Sequence, residues 1–323
     1  MIRIATIGTS VITERFVEAV AAAGETRDIR VEAVTSRDAA RARAFADRVG
    51  VAGATDDLDG LILDGAVDAV YIGSPNGAHA GQARAAIAAG AHVFVEKPAT
   101  ETAAEWDELV AEARAAGVVL FEGMRNVYDP GLVAVRELLP RLGVLRRAAF
   151  AYCQRSARYD LVLAGETPNI FDPALGGGAL MDLGVYPLSA MIALFGEPAD
   201  VVAVSARIAT GVEGLGTALL SYDGMVGEVT FSKITRSDVP SEIEGELGSL
   251  EIDHIAQPRH LKLTLLDGTV IEQRVEAAEN NMRYEVERFA DLVAGAADAD
   301  PDQQRTAAVL RTLESIKADG RLV

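Results

Sequence analysis

Apolar runs at residues 2–7, 29–35, 67–73, 93–95 and 118–121 alternate with helix-periodic stretches, and this alternation constrains the fold more than any other feature. Strands separated by helices of this length make βαβ units, which build a parallel sheet covered on both faces. Ligands of such sheets sit beyond the carboxyl ends of the strands. Those ends are Gly8-Thr9-Ser10-Val11-Ile12, Thr35-Ser36-Arg37, Ser74-Pro75-Asn76 with His79 just after, and Glu96-Lys97-Pro98. Pro98 removes a backbone donor and stiffens the corner that carries Lys97, and its peptide bond is a candidate for the cis form. A salt-bridged pair at a strand end is the bland alternative for Glu96 and Lys97.

Strand, tight Gly turn and helix is the context of a dinucleotide site. The glycine fingerprint is poor. Only Gly8 fits, while Ser10 and Thr13 stand where the second and third glycines belong. Ser10 is still small, and its hydroxyl suits a phosphate oxygen. A plain strand-to-helix turn is the competing reading. At the end of the second strand an acidic residue would select a ribose 2′-hydroxyl. Ser36 and Arg37 stand there instead, and a guanidinium fork suits a 2′-phosphate. NADP(H) is therefore the preferred cofactor, with NAD(H) allowed. Against this, Ser36 could simply cap a helix, and Asp38 could pair with Arg37. For His79 a capping or helix-surface role is the alternative.

The pattern changes after Gly123. A helix over 130–139 and a strand over 143–153 precede an irregular stretch, 154–173, of the kind that is usually functional or mobile. Next comes Gly176-Gly177-Gly178-Ala179-Leu180-Met181-Asp182-Leu183-Gly184-Val185-Tyr186-Pro187, running into an apolar helix. Asp182 and Tyr186 would share a face of a continuous helix, but Pro187 predicts a kink, or a new helix starting there. Residues 201–274 alternate, with hairpin signals at Asp223-Gly224 and Asp267-Gly268, and read as about six mainly antiparallel strands. Helices over 282–294 and 303–317 close the chain. The expectation is an α/β protein: a doubly wound parallel sheet in residues 1–122, then an α+β domain with a large open sheet in 123–323.

A formal net charge of −18 argues against nucleic acid and anionic membrane surfaces as partners. Cys153 is the only cysteine, so no intramolecular disulfide and no cysteine-based zinc site is available, and no metal is expected. The N-terminus has no basic n-region followed by a long apolar core, and no stretch approaches the length of a membrane span without charge. A cytoplasmic location is expected.

With these motifs placed, the chain resembles the glucose–fructose oxidoreductase, inositol dehydrogenase and rhizopine-catabolism (Gfo/Idh/MocA) family of NAD(P)-dependent oxidoreductases. The matching residues are Gly8-Thr9-Ser10-x-Ile12, Ser36-Arg37, Ser74-Pro75-Asn76 with His79, Glu96-Lys97-Pro98, and Gly177-Gly178-Ala179-x-x-Asp182-x-Gly184-x-Tyr186. The resemblance spans essentially the whole chain. It implies a Rossmann domain followed by a domain whose open sheet is often the oligomer interface, hence a homodimer or larger homo-oligomer. Many members carry His where Tyr186 stands; Tyr there is similar to dimeric dihydrodiol dehydrogenase and glucose–fructose oxidoreductase. The resemblance puts Gly8, Thr9, Ser10, Val11, Ile12, Ser36, Arg37, Ser74, Pro75, Asn76, His79, Glu96 and Lys97 at the cofactor. It places Lys97 and Tyr186 beside the substrate carbonyl, and makes Arg125, Asn126, Arg158, Tyr159 and Asn169 the specificity residues.

Hydride transfer needs the hydroxyl-bearing carbon held close to the nicotinamide, plus a group that exchanges the hydroxyl proton. Lys97 beside Tyr186 would favour the phenolate, and Asp182 could orient either group or relay protons. Without catalysis, Asp182 would be a helix cap or a partner for Arg125, and Tyr186 a packed aromatic. The main reading is an oxidoreductase acting on a secondary alcohol or ketone of a sugar, polyol or dihydrodiol. The alternative is a cofactor-binding regulator or sensor on the same fold.

Overall fold

The computed structural model describes residues 1–319 and the backbone of 321–322. The chain forms two compact units. One comprises Met1–Arg125 with Ala278–Ala307, the other Asn126–Ala277 with the chain from residue 308 onward. These differ from the linear split after residue 122, because residues 278–307 belong to the first unit.

The elements of the first unit run β1 (Ile2–Ile7), α1 (Val11–Ala23), β2 (Ile29–Thr35), α2 (Ala39–Val49), β3 (Gly53–Thr55), α3 (Leu58–Leu63), β4 (Ala69–Ile72), α4 (His79–Ala88), β5 (His92–Glu96), α5 (Ala103–Ala116) and β6 (Leu120–Gly123). The strands form one sheet in the order β3-β2-β1-β4-β5-β6, every pair parallel. The order reverses between β1 and β4, so the loops after these strands stand at the topological switch point. β3, with three residues, and α3, with six, are too short to announce themselves in sequence.

Under β4 and β5 lies an aromatic core. Phe16 stacks on Tyr71 with centroids 3.6 Å apart, and Phe94 meets Phe16, Phe121 and Phe289 edge-on at 5.1, 5.1 and 5.4 Å. Burying each such ring contributes about 1.5–3 kcal/mol. Phe289 explains why the late segment rejoins this unit: its helix buries Met282, Val286, Phe289 and Ala290 along one stripe.

The second unit begins with α6 (Pro130–Leu138), β7 (Leu145–Cys153) and α7 (Tyr159–Leu163), then a π turn (Leu180–Gly184) that leads into α8 (Val185–Phe195). β8 (Asp200–Arg207), β9 (Glu213–Tyr222), β10 (Met225–Ser232), β11 (Ser241–Gly245), β12 (Gly248–Ile252), β13 (His260–Leu265) and β14 (Val270–Arg274) follow. The chain closes with α9 (Met282–Val293), α10 (Asp300–Asp319) and β15 (Arg321–Leu322). The sheet order is β14-β13-β12-β11-β7-β10-β9-β8-β15. Its pairs are antiparallel apart from β7–β10 and β8–β15. Both expected Asp-Gly hairpins form, with Gly224 at φ 71° and Gly268 at φ 87°. Seven strands lie in 200–274 rather than about six, because the β11–β12 hairpin turns on Glu246-Leu247, which carries no strong turn signal.

One face of this sheet is buried, by residues such as Phe150, Ala203, Leu220 and Phe231. The other is open. Val202, Val204, Leu219 and Val226 are 42–51% exposed on it, and Arg147 bridges Glu228 and Glu244 across three strands. One stretch, Pro173–Phe195, is long and apolar enough to cross a membrane, but 78% of it is buried in the protein, and Asp182 lies within it.

Candidate active site

In the first unit the candidate cofactor residues lie at the strand ends. Gly8 has φ 114°, and a Cβ there would stand 2.8 Å from the Gly73 carbonyl oxygen. Backbone bonds from Gly8 N to Thr35 O (3.2 Å) and from Gly73 N to Ile7 O (2.9 Å) hold the two loops together. Only glycine fits. Thr13, where the fingerprint has its third glycine, is fully buried and packs against this contact. Ser10 is the N-cap residue of α1, but its side chain bonds no backbone amide of the first turn. It lies 3.5 Å from the Thr13 hydroxyl. Thr9 and Ser10 thus form a small-residue turn, and Val11 and Ile12 present helix amides left uncapped by Ser10, a fit for a pyrophosphate.

After β2 the cap of α2 is Asp38, not Ser36: its carboxylate accepts from Ala40 N (2.9 Å) and Arg41 N (3.1 Å). Arg37 is exposed and, among the described residues, makes no ion pair with Asp38 or any other carboxylate. Its charge is available to a phosphate.

The Lys97–Pro98 bond is cis. Two buried side chains pin the corner from either side. His79 places its ring nitrogens 2.9 Å from the Pro98 carbonyl and 2.9 Å from that of Ser74, and Glu122 accepts from Ala99 N (2.9 Å) and from the Thr306 hydroxyl (3.0 Å). Both partners of His79 are acceptors, which favours the doubly protonated ring; burial opposes it more strongly and pushes the pKa below the usual histidine value. His79 therefore braces two loops instead of capping a helix or lying on its surface. Glu96 also faces inward, accepting from the Tyr71 hydroxyl (2.9 Å). Burial raises its pKa, against the nearby Lys97, Tyr71 and Arg125. Glu285 lies in the same cluster. Burial first, then the Glu96 charge, hold its pKa well above the carboxylate range. Ser74 is tied by its hydroxyl to Gln82 (2.6 Å), and Pro75 and Asn76 start the short turn before α4.

The second unit carries residues 176–184 and Tyr186. Its glycine run is a set of close approaches. At Gly177 a Cβ would stand 2.8 Å from Asp172 N. At Gly178 (φ 137°) it would stand 2.3 Å from Glu213 Oε1, and at Gly184 2.9 Å from the Phe231 ring. Glu213 also accepts from Leu180 N (3.1 Å), which sets the start of the π turn. In that turn the Val185 amide reaches back to the Leu180 carbonyl. The extra residue absorbs Pro187, which then sits in the first turn of α8, where proline is tolerated. No new helix begins at Pro187.

Asp182 is held in the turn by Lys233, a side chain only 6% exposed whose ammonium contacts Asp182 Oδ2 and lies 5.9 Å from the centre of the Phe171 ring. Tyr186 is 7% exposed and meets Tyr152 edge-on at 5.7 Å. Asn126 is fully buried and donates through Nδ2 to the Tyr186 carbonyl (2.9 Å), so it fixes that segment. Arg158 and Asn169 are exposed on the irregular stretch, and Tyr159 is half-buried against Phe171. Arg125 is half-buried at the end of the first unit. Among the described residues no cluster of His, Cys, Asp and Glu is arranged to hold a metal.

Sequence reasoning missed Glu122, Glu213, Lys233 and Glu285. Two of them leave a signal. Lys233 falls on the inward register of Met225, Gly227, Val229 and Phe231, and Glu285 on the apolar stripe of Met282, Val286 and Phe289.

Residues 2–124 match the oxidoreductase family with an NAD-binding Rossmann fold, and residues 134–251 match its C-terminal domain. The chain belongs to the Gfo/Idh/MocA family. It is an NAD(P)-dependent oxidoreductase acting on CH–OH groups. The chain is 40% identical over 293 residues to scyllo-inositol 2-dehydrogenase (NADP(+)) of Bacillus subtilis, covering 91% of this chain and 88% of that one. It is 32% identical over 228 residues to human trans-1,2-dihydrobenzene-1,2-diol dehydrogenase, covering 69% and 66%. Among solved structures it is similar to a 3-ketoreductase of Actinomadura kijaniata in complex with NADP and TDP-benzene. That match has a TM-score of 0.86 and 25% identity, with 100% and 98% coverage. The matched relatives named here are enzymes, and none favours the regulator alternative.

Proposed function

We propose that this protein is an NADP(H)-dependent dehydrogenase of a secondary hydroxyl on a neutral polyol or sugar, with cyclic polyols as the first substrates to try. The observation that carries this reading is the 40% identity over 91% of the chain to an NADP(+)-dependent scyllo-inositol dehydrogenase. The exposed Arg37, with Ser36 in place of an acidic residue, supports the phosphorylated cofactor. NAD(H) is the weaker alternative.

The bound nicotinamide supplies the hydride acceptor or donor. The chain does the rest. Gly8 and the turn through Ile12 take the pyrophosphate, Ser36 and Arg37 the 2′-phosphate, and Ser74, Pro75 and Asn76 the neighbouring cofactor surface. Glu96 and His79 act indirectly, by holding Lys97 and its loop. Lys97 donates a hydrogen bond to the reacting oxygen. Tyr186 takes the hydroxyl proton in oxidation and returns it in reduction, and Asp182 accepts from a substrate hydroxyl. Arg125, Arg158, Tyr159 and Asn169 contact the rest of the substrate.

The same proposal has the protein working in the cytoplasm as a homo-oligomer, with a second copy covering the open face around Val202, Leu219 and Val226. The proposal assigns cofactor binding to 1–122 and substrate binding with oligomerisation to 123–323, apart from 278–307, which pack with the first unit. The test is nicotinamide absorbance with NADP+ or NAD+ across scyllo-inositol, myo-inositol, aldoses and trans-dihydrobenzenediol. No reduction of either cofactor with any of them overturns the reading.

A further inference from the structure

Lys233 is a buried ammonium without a place in the chemistry above. Its backbone is fixed on both sides: its amide donates to Gly214 O (2.8 Å), and its carbonyl accepts from Ser156 N (2.8 Å). The Ser232 hydroxyl accepts from Thr235 N (2.9 Å) and closes the turn that follows. The side chain therefore leaves the end of β10 from a rigid base, on the register of buried apolar residues. It is 6% exposed and meets Asp182, whose side chain is 40% exposed. Removing an ammonium from water costs several kcal/mol unless a carboxylate compensates. The pairing is thus lopsided: the cation needs the anion, and the anion keeps one side toward solvent. Asp182 is itself confined by the π turn, whose start is set by Glu213 on Leu180 N.

We propose that Lys233 is a positioning residue that locks Asp182 as a fixed acceptor for a hydroxyl next to the reacting carbon of a polyol. This rests on the enzymatic reading above. A carboxylate bonded to a buried ammonium on a rigid base cannot swing, so it suits hydroxyl recognition and leaves proton transfer to Tyr186. The pair has no net charge, which matches a neutral substrate. A substrate that lacks the neighbouring hydroxyl gains nothing from Lys233.

The test compares Lys233→Met, Lys233→Arg, Asp182→Asn and the Lys233→Met/Asp182→Asn double variant on the best substrate of the panel and on its analogue deoxygenated next to the reacting carbon. A hydrogen bond to a charged group is worth about 1.5–3 kcal/mol, so Lys233→Met should raise KM for the polyol roughly 10- to 100-fold. The NADPH Kd and, within about threefold, kcat should hold, which separates uniform binding from chemistry. Lys233→Arg should recover most of the loss. The double variant should be no worse than the worse single, and the deoxy analogue should respond little to either. Wild-type KM in Lys233→Met, losses that multiply in the double variant, or equal losses on the deoxy analogue each overturn the proposal. If Lys233→Met does not fold, Lys233→Arg and Asp182→Asn on the two substrates decide it by the same comparison. A wild type inactive on the whole panel removes the enzymatic reading and this proposal together; an active wild type with an unaffected variant removes the proposal alone.

Discussion

Replacing Gly8 by alanine tests the proposed cofactor site through one methyl group. Two costs arise. A non-glycine residue at φ 114° lies outside the ordinary wells, which costs about 1–3 kcal/mol. The new Cβ would also stand 2.8 Å from the Gly73 carbonyl oxygen, a backbone atom whose loop is tied to Ile7. Overpacking of that kind adds about 1–3 kcal/mol. At a few degrees per kcal/mol for a unit of this size, melting should fall by roughly 5–20 °C. The control is Gly50→Ala, at φ 74° with nothing within 4 Å of its Cβ, which should cost only about 1 kcal/mol. Scanning calorimetry and NADPH titration are run on both. Relief of the clash must move the turn proposed to receive the pyrophosphate, so the Gly8 variant should bind NADPH at least about tenfold more weakly, while the Gly50 variant binds normally. If Gly8→Ala melts with Gly50→Ala and keeps the parental Kd, the close approach is not what requires glycine there.

Arg37→Ala should weaken NADPH binding much more than NADH binding in calorimetric titration, the guanidinium being the proposed partner of the 2′-phosphate; equal losses would refute the assignment. Burial raises the pKa of Glu285 well above its unfolded value near 4.3, so the unit is favoured while this acid keeps its proton, and stability is lost as pH rises toward the folded value. Glu285→Gln imitates the protonated acid and should flatten that fall, its gain over wild type growing from pH 5 to pH 8 in chemical denaturation; a gain that shrinks with pH would contradict this. Light scattering should show a particle of at least twice 34.0 kDa, and Leu219→Lys on the open sheet face should shift it toward one chain; a 34.0 kDa wild type at micromolar concentration rules the interface out.

The parallel sheet was legible because each strand is a short apolar run ended by Gly, Ser or Pro, and the period changes at each helix. The strand ends then offered Gly8, Arg37, Ser74 and Lys97 as candidates with no knowledge of packing. What the sequence hid depends on contacts between distant residues. Residues 278–307 return to the first unit because Phe289 completes a ring cluster with Phe94 and Phe121, and no local pattern announces that. The π turn is invisible for a similar reason, since it follows from Glu213 and Phe231 pressing on Gly178 and Gly184. His79 and Asn126 carry side chains typical of ligand contacts but are buried and spend them on backbone carbonyls. Lys233 shows the opposite case, a charge on an apolar register that signals a partner without naming it.

The central claim is the proposed role of Tyr186 in exchanging the substrate proton. Tyr186→Phe removes only the hydroxyl, and the ring's contact with Tyr152 and the Asn126 bond to the backbone should survive. Steady-state turnover on the best polyol substrate, with NADPH affinity measured on the same preparation, is the direct test. The account predicts a loss of roughly two to four powers of ten in kcat with NADPH binding unchanged. Normal turnover by Tyr186→Phe would contradict it.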